Sequence, residues 1–217
     1  MYNDLMPDNA FEIRKCDSCG LRYPLTVGHP IGRRCPVCMG ETRLILSRSL
    51  VTEPTRDTSL STSHKPALER AVILDNIRSA WNVGSIFRSA DGFGFTHTYL
   101  CGITPTPDND AVTKTSLGAE DSVPWSYHKD AVRLVKGLKK EGWRIFGLEE
   151  DTRANEIRHT GTKTFASALI VGNELTGVDP ELLDLCNDIL YIPMRGAKKS
   201  FNVAVAFGIA AFALDGK

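Results

Sequence analysis

The sequence has 217 residues and no apolar run near the roughly 20 residues that a membrane-spanning helix needs. Its first five residues, Met1-Tyr2-Asn3-Asp4-Leu5, lack the basic flank and apolar core of a secretory signal. We therefore expect a cytoplasmic protein with no membrane partner.

A net charge is also lacking, because 26 basic side chains balance 26 acidic ones. Residues 1–65 carry nine basic and seven acidic side chains, net +2, and residues 66–217 carry 17 and 19, net −2. A nucleic-acid-binding protein with this balance must gather its basic groups locally. The candidates for such a local concentration are Arg33, Arg34, Arg195, Lys198 and Lys199.

Several enzyme motifs are absent as well. No strand is followed by the dinucleotide pattern G-x-G-x-x-G, and no G-x-x-x-x-G-K-S/T phosphate loop occurs. There is no Ser/His/Asp order with a nucleophile elbow, and residues 67–217 contain no His/Cys/Asp group at metal-ligand spacing. These absences argue against the common nucleotide-dependent, hydrolytic and metal-dependent classes.

Cysteine is concentrated near the N-terminus. Cys16, Cys19, Cys35 and Cys38 form the pattern C-x2-C-x15-C-x2-C, within the spacing of a four-thiolate zinc site. Two disulfides fit poorly with a cytoplasmic chain, and a redox C-x-x-C occurs singly beside a βαβ unit. We predict a structural zinc ion, since four protein ligands leave no open coordination position.

The chain divides by composition into three parts. Residues 1–48 form the predicted zinc ribbon, residues 49–66 are rich in Ser, Thr and Pro and read as a linker, and residues 67–217 form the main domain. Between the cysteine pairs lie Tyr23, His29 and several arginines, which could contact RNA, although a purely structural ribbon is equally compatible with them.

Residues 67–217 alternate short apolar strands with amphipathic helices, which predicts an α/β fold with a mostly parallel sheet covered by helices. The long segment 102–118 reads as a functional loop. The predicted strands span 72–74, 99–101, 144–148, 168–171 and 189–192, and the predicted helices span 81–93, 131–140, 180–185 and 200–214. Ser200 is the predicted N-cap of the last helix.

Three stretches carry a more specific pattern. Residues 76–88 contain Asn82 and Arg88, residues 172–174 read Gly-Asn-Glu, and residues 192–209 run from the end of a strand across a basic turn into a helix. Together they resemble the TrmH/SpoU branch of the SPOUT superfamily, the knotted S-adenosylmethionine-dependent RNA 2'-O-ribose methyltransferases. The resemblance covers roughly residues 68–217 and leaves the cysteine-containing part unexplained.

The resemblance implies a C-terminal trefoil knot that forms an S-adenosylmethionine pocket; knots are rare exceptions to the usual connection rules. Carried over by motif, the cofactor-binding residues are Gly172, Ile192, Met194 and Phe201. We expect Gly172 to admit the ribose closely and the other three to form an apolar slot for adenine. Leucine is common in relatives at the position of Phe201, so this sequence departs there.

The resemblance also implies the residues of chemistry and of RNA binding. Methyl transfer to a ribose hydroxyl is an in-line displacement that needs alignment and removal of a weakly acidic proton. For Arg88 we favour orienting the hydroxyl and stabilising its developing charge, because a guanidinium stays protonated at neutral pH. The predicted catalytic residues are Asn82, Arg88, Glu174, Ser200 and Asn202, and the predicted RNA contacts are Arg78 and Lys114.

These expectations combine into one functional hypothesis. The chain should be an RNA 2'-O-methyltransferase that acts on tRNA or rRNA, with S-adenosylmethionine as methyl donor and zinc as structural metal. A homodimer should form through the helix of the first motif and the last helix. The expected apolar face of the last helix comprises Val203, Phe207, Ile209, Ala210, Phe212 and Ala213. The alternative is a non-catalytic RNA-binding or ribosome-assembly factor that retains the fold.

Overall fold

A computed structural model of the chain describes residues 10–49, 69–158 and 165–214. The chain divides into two compact units, Met1–Ser63 and His64–Lys217. Most of the predicted linker, residues 50–66, lies outside the described residues. Within the described ranges, no helix is both long enough and apolar enough to cross a bilayer.

The N-terminal unit is built on a small antiparallel sheet. Strands β1 (Ala10–Cys16), β2 (Arg22–Thr26) and β3 (Thr42–Ser49) pair in the order β2-β1-β3. The Arg14 side chain is buried and donates from Nη2 to the Thr42 carbonyl over 2.8 Å and from Nε to the Thr42 hydroxyl over 2.9 Å. A buried cation is costly unless it is hydrogen-bonded, so these bonds fix β3 against β1.

The second unit contains a parallel sheet of seven strands, which confirms the predicted fold class; the trefoil knot stays a prediction. The strands pair in the order β6-β5-β4-β9-β7-β10-β8, and every pairing is parallel. Their bounds are β4 Arg70–Asp75, β5 His97–Cys101, β6 Trp125–His128, β7 Arg144–Leu148, β8 Asn155–Glu156, β9 Ser167–Val171 and β10 Asp188–Tyr191.

Helices cover both faces of this sheet because its central strands are apolar on both sides. Along β4, Val72 and Leu74 join one core with the helices Ala80–Gly92 and Val203–Leu214, while Ala71 and Ile73 join a second core with the helices Ala131–Lys140 and Pro180–Leu185. The helices are α1 Ala80–Gly92, α2 Asp110–Ser116, α3 Ala119–Ser122, α4 Ala131–Lys140, α5 Pro180–Leu185 and α6 Val203–Leu214.

Two local predictions were wrong. The segment 102–118 is not a plain loop, since it contains α2, which Asn109 caps by accepting from the Ala111 N–H. The last helix begins at Val203, three residues later than expected, and Asn202 caps it in place of Ser200. The Asn202 carboxamide oxygen accepts from the Ala204 N–H over 2.9 Å. Asparagine and serine are similarly good N-caps, so residue type alone does not decide between the two positions.

Candidate active site and metal centre

A cleft of about 910 Å³ opens at the carboxyl ends of the parallel strands, where such sheets bind ligands. The loop 172–178 after β9 forms one wall, and the segment 192–202 after β10 forms another. The end of β7 contributes Glu149 and Glu150. Two stretches that the sequence analysis singled out therefore meet at one site.

Glu174 ties this loop to the start of α1. One carboxylate oxygen accepts from the Arg78 N–H over 2.9 Å, and the other accepts from the Ser79 N–H over 3.1 Å and from the Asn82 side-chain amide over 2.9 Å. Unpaired N–H groups and the positive end of the helix dipole both favour an anion at a helix N-terminus. The carboxylate thus joins the first and second motifs.

These hydrogen bonds also set the charge of Glu174. Partial burial acts to raise the pKa of its carboxyl, but the hydrogen bonds from the Arg78 N–H and the Asn82 amide outweigh that effect. The pKa of Glu174 therefore lies below its ordinary value, and the group is ionised at neutral pH. An ionised carboxylate that already accepts three hydrogen bonds serves as an anchor for the loop and the helix.

Asn82 connects Glu174 to the third motif. The Asn202 side-chain amide donates to the Asn82 carboxamide oxygen over 3.0 Å, while the Asn82 amide donates to Glu174. Asn202 itself accepts from the Ala204 N–H. A single chain of hydrogen bonds therefore runs from the N-terminus of α6 to the loop 172–178, and it brings three predicted catalytic residues together.

Sequence reasoning missed the contribution of two further asparagines. The Asn173 side-chain amide donates to the Asn76 carbonyl over 2.7 Å and holds the loop 172–178 against the end of β4. Asn76 has a left-handed backbone with φ +56°, which asparagine tolerates better than most residues. Its side chain accepts from the Ile103 N–H over 3.2 Å. Both asparagines follow buried strands in the sequence, and this position was the signal that could have predicted their role.

Gly172 lines the cleft, but the reason for a glycine differs from the expected one. A Cβ at position 172 would collide with the Val178 nitrogen and with the Gly177 backbone. The loop closes there by paired backbone hydrogen bonds between Asn173 and Gly177, of 3.0 and 2.9 Å. Glycine is therefore required by the loop's own backbone, whether or not a ligand approaches it.

The other predicted cofactor residues lie in the same cleft. Ile192 and Met194 are half-buried and Phe201 is 39% exposed, so their apolar surface remains available in the cleft. Ser200 and Asn202 line the cleft as well. The residues predicted from the second and third motifs thus share one site.

Arg88, in contrast, does not line this cleft. It is exposed on α1, six residues after Asn82, and the helix turns it away from the side chains that meet Glu174. Arg78 is exposed at the entrance to α1, and Lys114 is exposed on the last turn of α2. The helices α1 and α2 pack closely, since a Cβ at Gly84 would collide with the Val112 carbonyl and the Thr115 side chain.

The N-terminal unit contains the predicted metal centre. The sulfur atoms of Cys16, Cys19, Cys35 and Cys38 all lie within 4.8 Å of one another. The Cys16–Cys38 distance is 3.4 Å and the Cys19–Cys35 distance is 3.7 Å. Zinc–sulfur bonds of about 2.3 Å in a tetrahedron place sulfurs about 3.8 Å apart, so the four thiols fit a zinc ion.

The surrounding backbone favours ionised sulfur at this centre. The Cys19 N–H donates to the Cys16 sulfur over 3.4 Å and lowers the pKa of that thiol to about 6. For Cys38, the Gly40 N–H favours ionisation, but the thiols of Cys16 and Cys19 outweigh it and raise the pKa to about 12. Four thiolates this close need a cation between them, which zinc supplies.

The second unit is similar in sequence to known proteins. Residues 69–212 match the SpoU rRNA Methylase family. The chain is 31% identical over 147 residues to the 23S rRNA (guanosine(2553)-2'-O)-methyltransferase RlmP of Bacillus subtilis, covering 68% of this chain and 58% of that protein. It is 32% identical over 154 residues to the 23S rRNA (guanosine-2'-O-)-methyltransferase RlmB of Coxiella burnetii, covering 68% and 57% respectively.

A solved structure of a TrmH/SpoU protein is also similar to this chain. The A. aeolicus TrmH/SpoU tRNA modifying enzyme aligns with a TM-score of 0.60 and 27% identity, over 67% of this chain and 73% of that one. The chain thus spans a little over half the length of the curated relatives named above. The matched region is the unit that carries the cleft.

Proposed function

The chain belongs to the SpoU rRNA methylase family, and we propose that it transfers a methyl group from S-adenosylmethionine to a ribose 2'-hydroxyl of RNA. The observation that carries the proposal is the hydrogen-bonded chain Glu174–Asn82–Asn202, which joins all three motifs beside one cleft. Because the related RlmP and RlmB are named as 23S rRNA methyltransferases, ribosomal RNA is the preferred substrate class, with tRNA second.

The cleft fits the proposed cofactor in size and in chemistry. Its volume of about 910 Å³ lies within the roughly 300–1,000 Å³ of small-molecule sites. Ile192, Met194 and Phe201 would hold the adenine, and the backbone beside Gly172 would face the ribose. Bound S-adenosylmethionine would supply the methyl group: the carbon–sulfur bond would break with its electron pair left on sulfur, the ribose oxygen would bond to the methyl carbon, and the hydroxyl proton would pass to solvent.

The chain's own polar residues would orient the acceptor. Glu174 is ionised and fully engaged, so we assign it to fixing the loop and α1 in place. Ser200 carries a hydroxyl in the cleft that is available to an incoming ribose. Arg88 would align the 2'-hydroxyl and stabilise its developing negative charge, as preorganised cations do.

Arg88 lies outside the cleft of its own subunit, so we propose a homodimer in which it serves the cleft of the partner subunit. The exposed apolar side chains on α1 and α6 support this arrangement: Trp81, Val205 and Phe212 are each at least 50% exposed. Part of the face expected from the sequence is not available, because Phe207, Ala210 and Ala213 are buried in their own subunit.

The remaining assignments follow from this function. Arg78 is an exposed cation just before α1, Lys114 is an exposed cation on α2, which packs against α1, and we assign both to RNA phosphates. We propose further that residues 1–48 are a zinc ribbon stabilised by the metal, that residues 49–66 link it to a methyltransferase domain of residues 67–217, and that the protein works in the cytoplasm.

Ribose methylation mapped across total tRNA and rRNA tests the proposal. Deletion of the gene should abolish methylation at one or a few riboses, and the wild-type gene should restore it. The Arg88→Ala gene should not. If every mapped ribose stays methylated in the deletion strain while ribosome assembly fails, the alternative of a non-catalytic assembly factor is correct.

A further inference from the structure

A second cleft, of about 630 Å³, lies in the N-terminal unit and plays no part in the methyl transfer proposed above. It is formed by β2, the start of β1 and residues 29–36. Its walls are almost entirely carbon. The side chains that line it and matter here are Phe11, Tyr23, Leu25, His29, Ile31 and Pro36. We call it the ribbon cleft.

Two rings of the ribbon cleft are held in place within the unit itself. The Tyr23 hydroxyl donates to the Arg34 carbonyl over 2.9 Å. The His29 Nδ1 accepts from the Ile31 N–H over 3.2 Å, so Nε2 is the ring nitrogen that can donate. Rings that are fixed before a ligand arrives lose little conformational entropy on binding.

Positive charge surrounds this apolar surface. Residues 10–49 contain seven basic and three acidic side chains, which gives a net charge of +4, and four thiolates with one Zn²⁺ reduce it to +2. Arg22 adjoins Tyr23, and Arg33 follows Ile31 by two residues. Among the residues that the structure describes, neither arginine side chain has a hydrogen bond or an ion pair, and both are exposed.

From this combination we infer that the ribbon cleft binds an unpaired segment of RNA, with bases against the rings and phosphates on the arginines. The inference rests on the proposed function for the presence of RNA. Every base has a π-face, so an aromatic and apolar wall accepts bases with little sequence preference. Paired RNA hides those faces and presents its backbone, so the ribbon cleft selects unpaired strands. The exposed arginines favour a polyanion over an apolar protein segment.

Binding of a fluorescently labelled, unstructured ten-nucleotide RNA to the zinc-loaded full chain tests the inference by anisotropy. Ile31→Glu places a negative charge in the ribbon cleft and should weaken binding at least about tenfold, the scale of one lost base stack. The matched control is Ile45→Glu, which makes the same change at an exposed position on β3, the opposite edge strand, and should alter binding less than twofold.

Salt dependence gives a second readout, which uses variants that leave the apolar wall of the ribbon cleft unchanged. Arg22→Ala combined with Arg33→Ala should flatten the plot of log K against log salt concentration by about 1.4, since each lost phosphate contact on a single strand contributes about 0.7. Arg43→Ala, on β3 and paired with Asp17, should leave the plot nearly unchanged. Should Ile31→Glu lose its zinc, the double arginine variant carries the test.

Equal loss in Ile31→Glu and Ile45→Glu, or no loss in either, overturns the inference. So does RNA binding that is insensitive to salt, since it would show that the arginines do not contact the phosphates. Methyl transfer measured on the same preparations separates the two proposals. If transfer proceeds while Ile31→Glu and the double arginine variant bind RNA as the wild type does, the inference that the ribbon cleft binds RNA is wrong and the proposed function stands. If transfer is absent while Ile31→Glu weakens binding, the proposed function fails.

Discussion

The side-chain amide of Asn202 donates a hydrogen bond of 3.0 Å to the carboxamide oxygen of Asn82, 120 positions earlier in the chain. Its direction is fixed from both ends. The Asn202 oxygen is already engaged by the Ala204 N–H, and the Asn82 amide is engaged by the Glu174 carboxylate. Each asparagine must therefore use one donor and one acceptor, which aspartate or alanine cannot do.

The first prediction is that Asn82→Asp breaks this chain of hydrogen bonds. An aspartate can still accept from Asn202, but it cannot donate to Glu174 and places a second carboxylate beside it. We expect the free energy of unfolding to fall by about 1–2 kcal/mol and methyl transfer to drop at least about tenfold. Urea unfolding and a transfer assay measure the two effects.

Asn109→Asp is the matched control, because Asn109 caps α2 purely as an acceptor and aspartate caps equally well. A variant Asn82→Asp that matches Asn109→Asp in stability and in transfer would show that the direction of the hydrogen bonds is unimportant.

The second prediction compares two glycines that line the same cleft. Gly172→Ala should lose at least about tenfold in S-adenosylmethionine affinity and about 1–3 kcal/mol in unfolding free energy, because the new Cβ collides with the backbone at 177–178. Gly196→Ala should change both quantities little, since a Cβ there meets no atom within 4 Å. Calorimetric titration measures the affinity. Similar affinities in the two variants would contradict this account of the loop.

The third prediction concerns the metal. Metal analysis should find about one zinc per chain, and Cys16→Ser combined with Cys35→Ser should unfold the N-terminal unit while the second unit keeps its cofactor affinity. The reason is that the small sheet buries few apolar side chains, so metal binding supplies its folding free energy. Cys101→Ser combined with Cys186→Ser, outside the cluster, should keep the zinc. A zinc-free chain with an intact N-terminal unit would refute the prediction.

The fourth prediction is a pH dependence from Asp75, at the end of β4. Burial raises the pKa of its carboxyl, although its oxygens accept from the Asp179 N–H over 3.0 Å and from the Asn76 amide over 2.8 Å. Since the folded pKa exceeds the unfolded value of about 3.9, the carboxyl stabilises the fold most when protonated, and this contribution is lost as the pH rises through the folded pKa.

The free energy of unfolding of Asp75→Asn minus that of the wild type should therefore increase as the pH rises from about 4 toward neutrality, because only the wild type loses stability over this range. Denaturant titrations at a series of pH values measure it. Asp108→Asn makes the same change at an exposed position and is the control for the substitution itself. A difference between Asp75→Asn and the wild type that does not change with pH would contradict the prediction.

The fifth prediction separates cofactor binding from chemistry. Arg88→Ala should leave the S-adenosylmethionine affinity nearly unchanged, because the hydroxyl on which Arg88 acts is present only when RNA is bound, and should lower turnover by roughly two to four decades. Arg133→Ala, at another exposed arginine, on α4, serves as the control. Loss of cofactor affinity in Arg88→Ala as large as in Gly172→Ala would show that Arg88 does not act on the RNA.

Much of the architecture follows from local pattern. The unbroken apolar strands predicted the parallel sheet, and the bounds 131–140, 144–148 and 180–185 agree with α4, β7 and α5. The short strands β6 and β8 were missed because Trp125–His128 is polar in part and Asn155–Glu156 has two residues. The predicted start of α6 was wrong because Ser200 and Asn202 are both good N-caps, and only the contact with Asn82 distinguishes them.

The three motifs predicted the residues of the site, but residue spacing and hydrophobic periodicity predicted only part of its geometry. Spacing could not place Asn82 beside Asn202, because their contact depends on how the sheet brings distant loops together. The faces of α6 were also indistinguishable, since Val203–Leu214 is apolar on every side and periodicity cannot separate core from interface. Packing assigned Phe207 to the core and left Phe212 exposed.

The most direct test of the central claim is methyl transfer from labelled S-adenosylmethionine to ribosomal RNA by the purified, zinc-loaded chain. The RNA is hydrolysed in alkali after the reaction, and the label is located in the products. We predict label in dinucleotides that resist alkali, because a methylated 2'-oxygen cannot attack the adjacent phosphate, and none with Arg88→Ala. Label in the mononucleotides that alkali releases, or no transfer to any ribosomal or transfer RNA, would contradict the account.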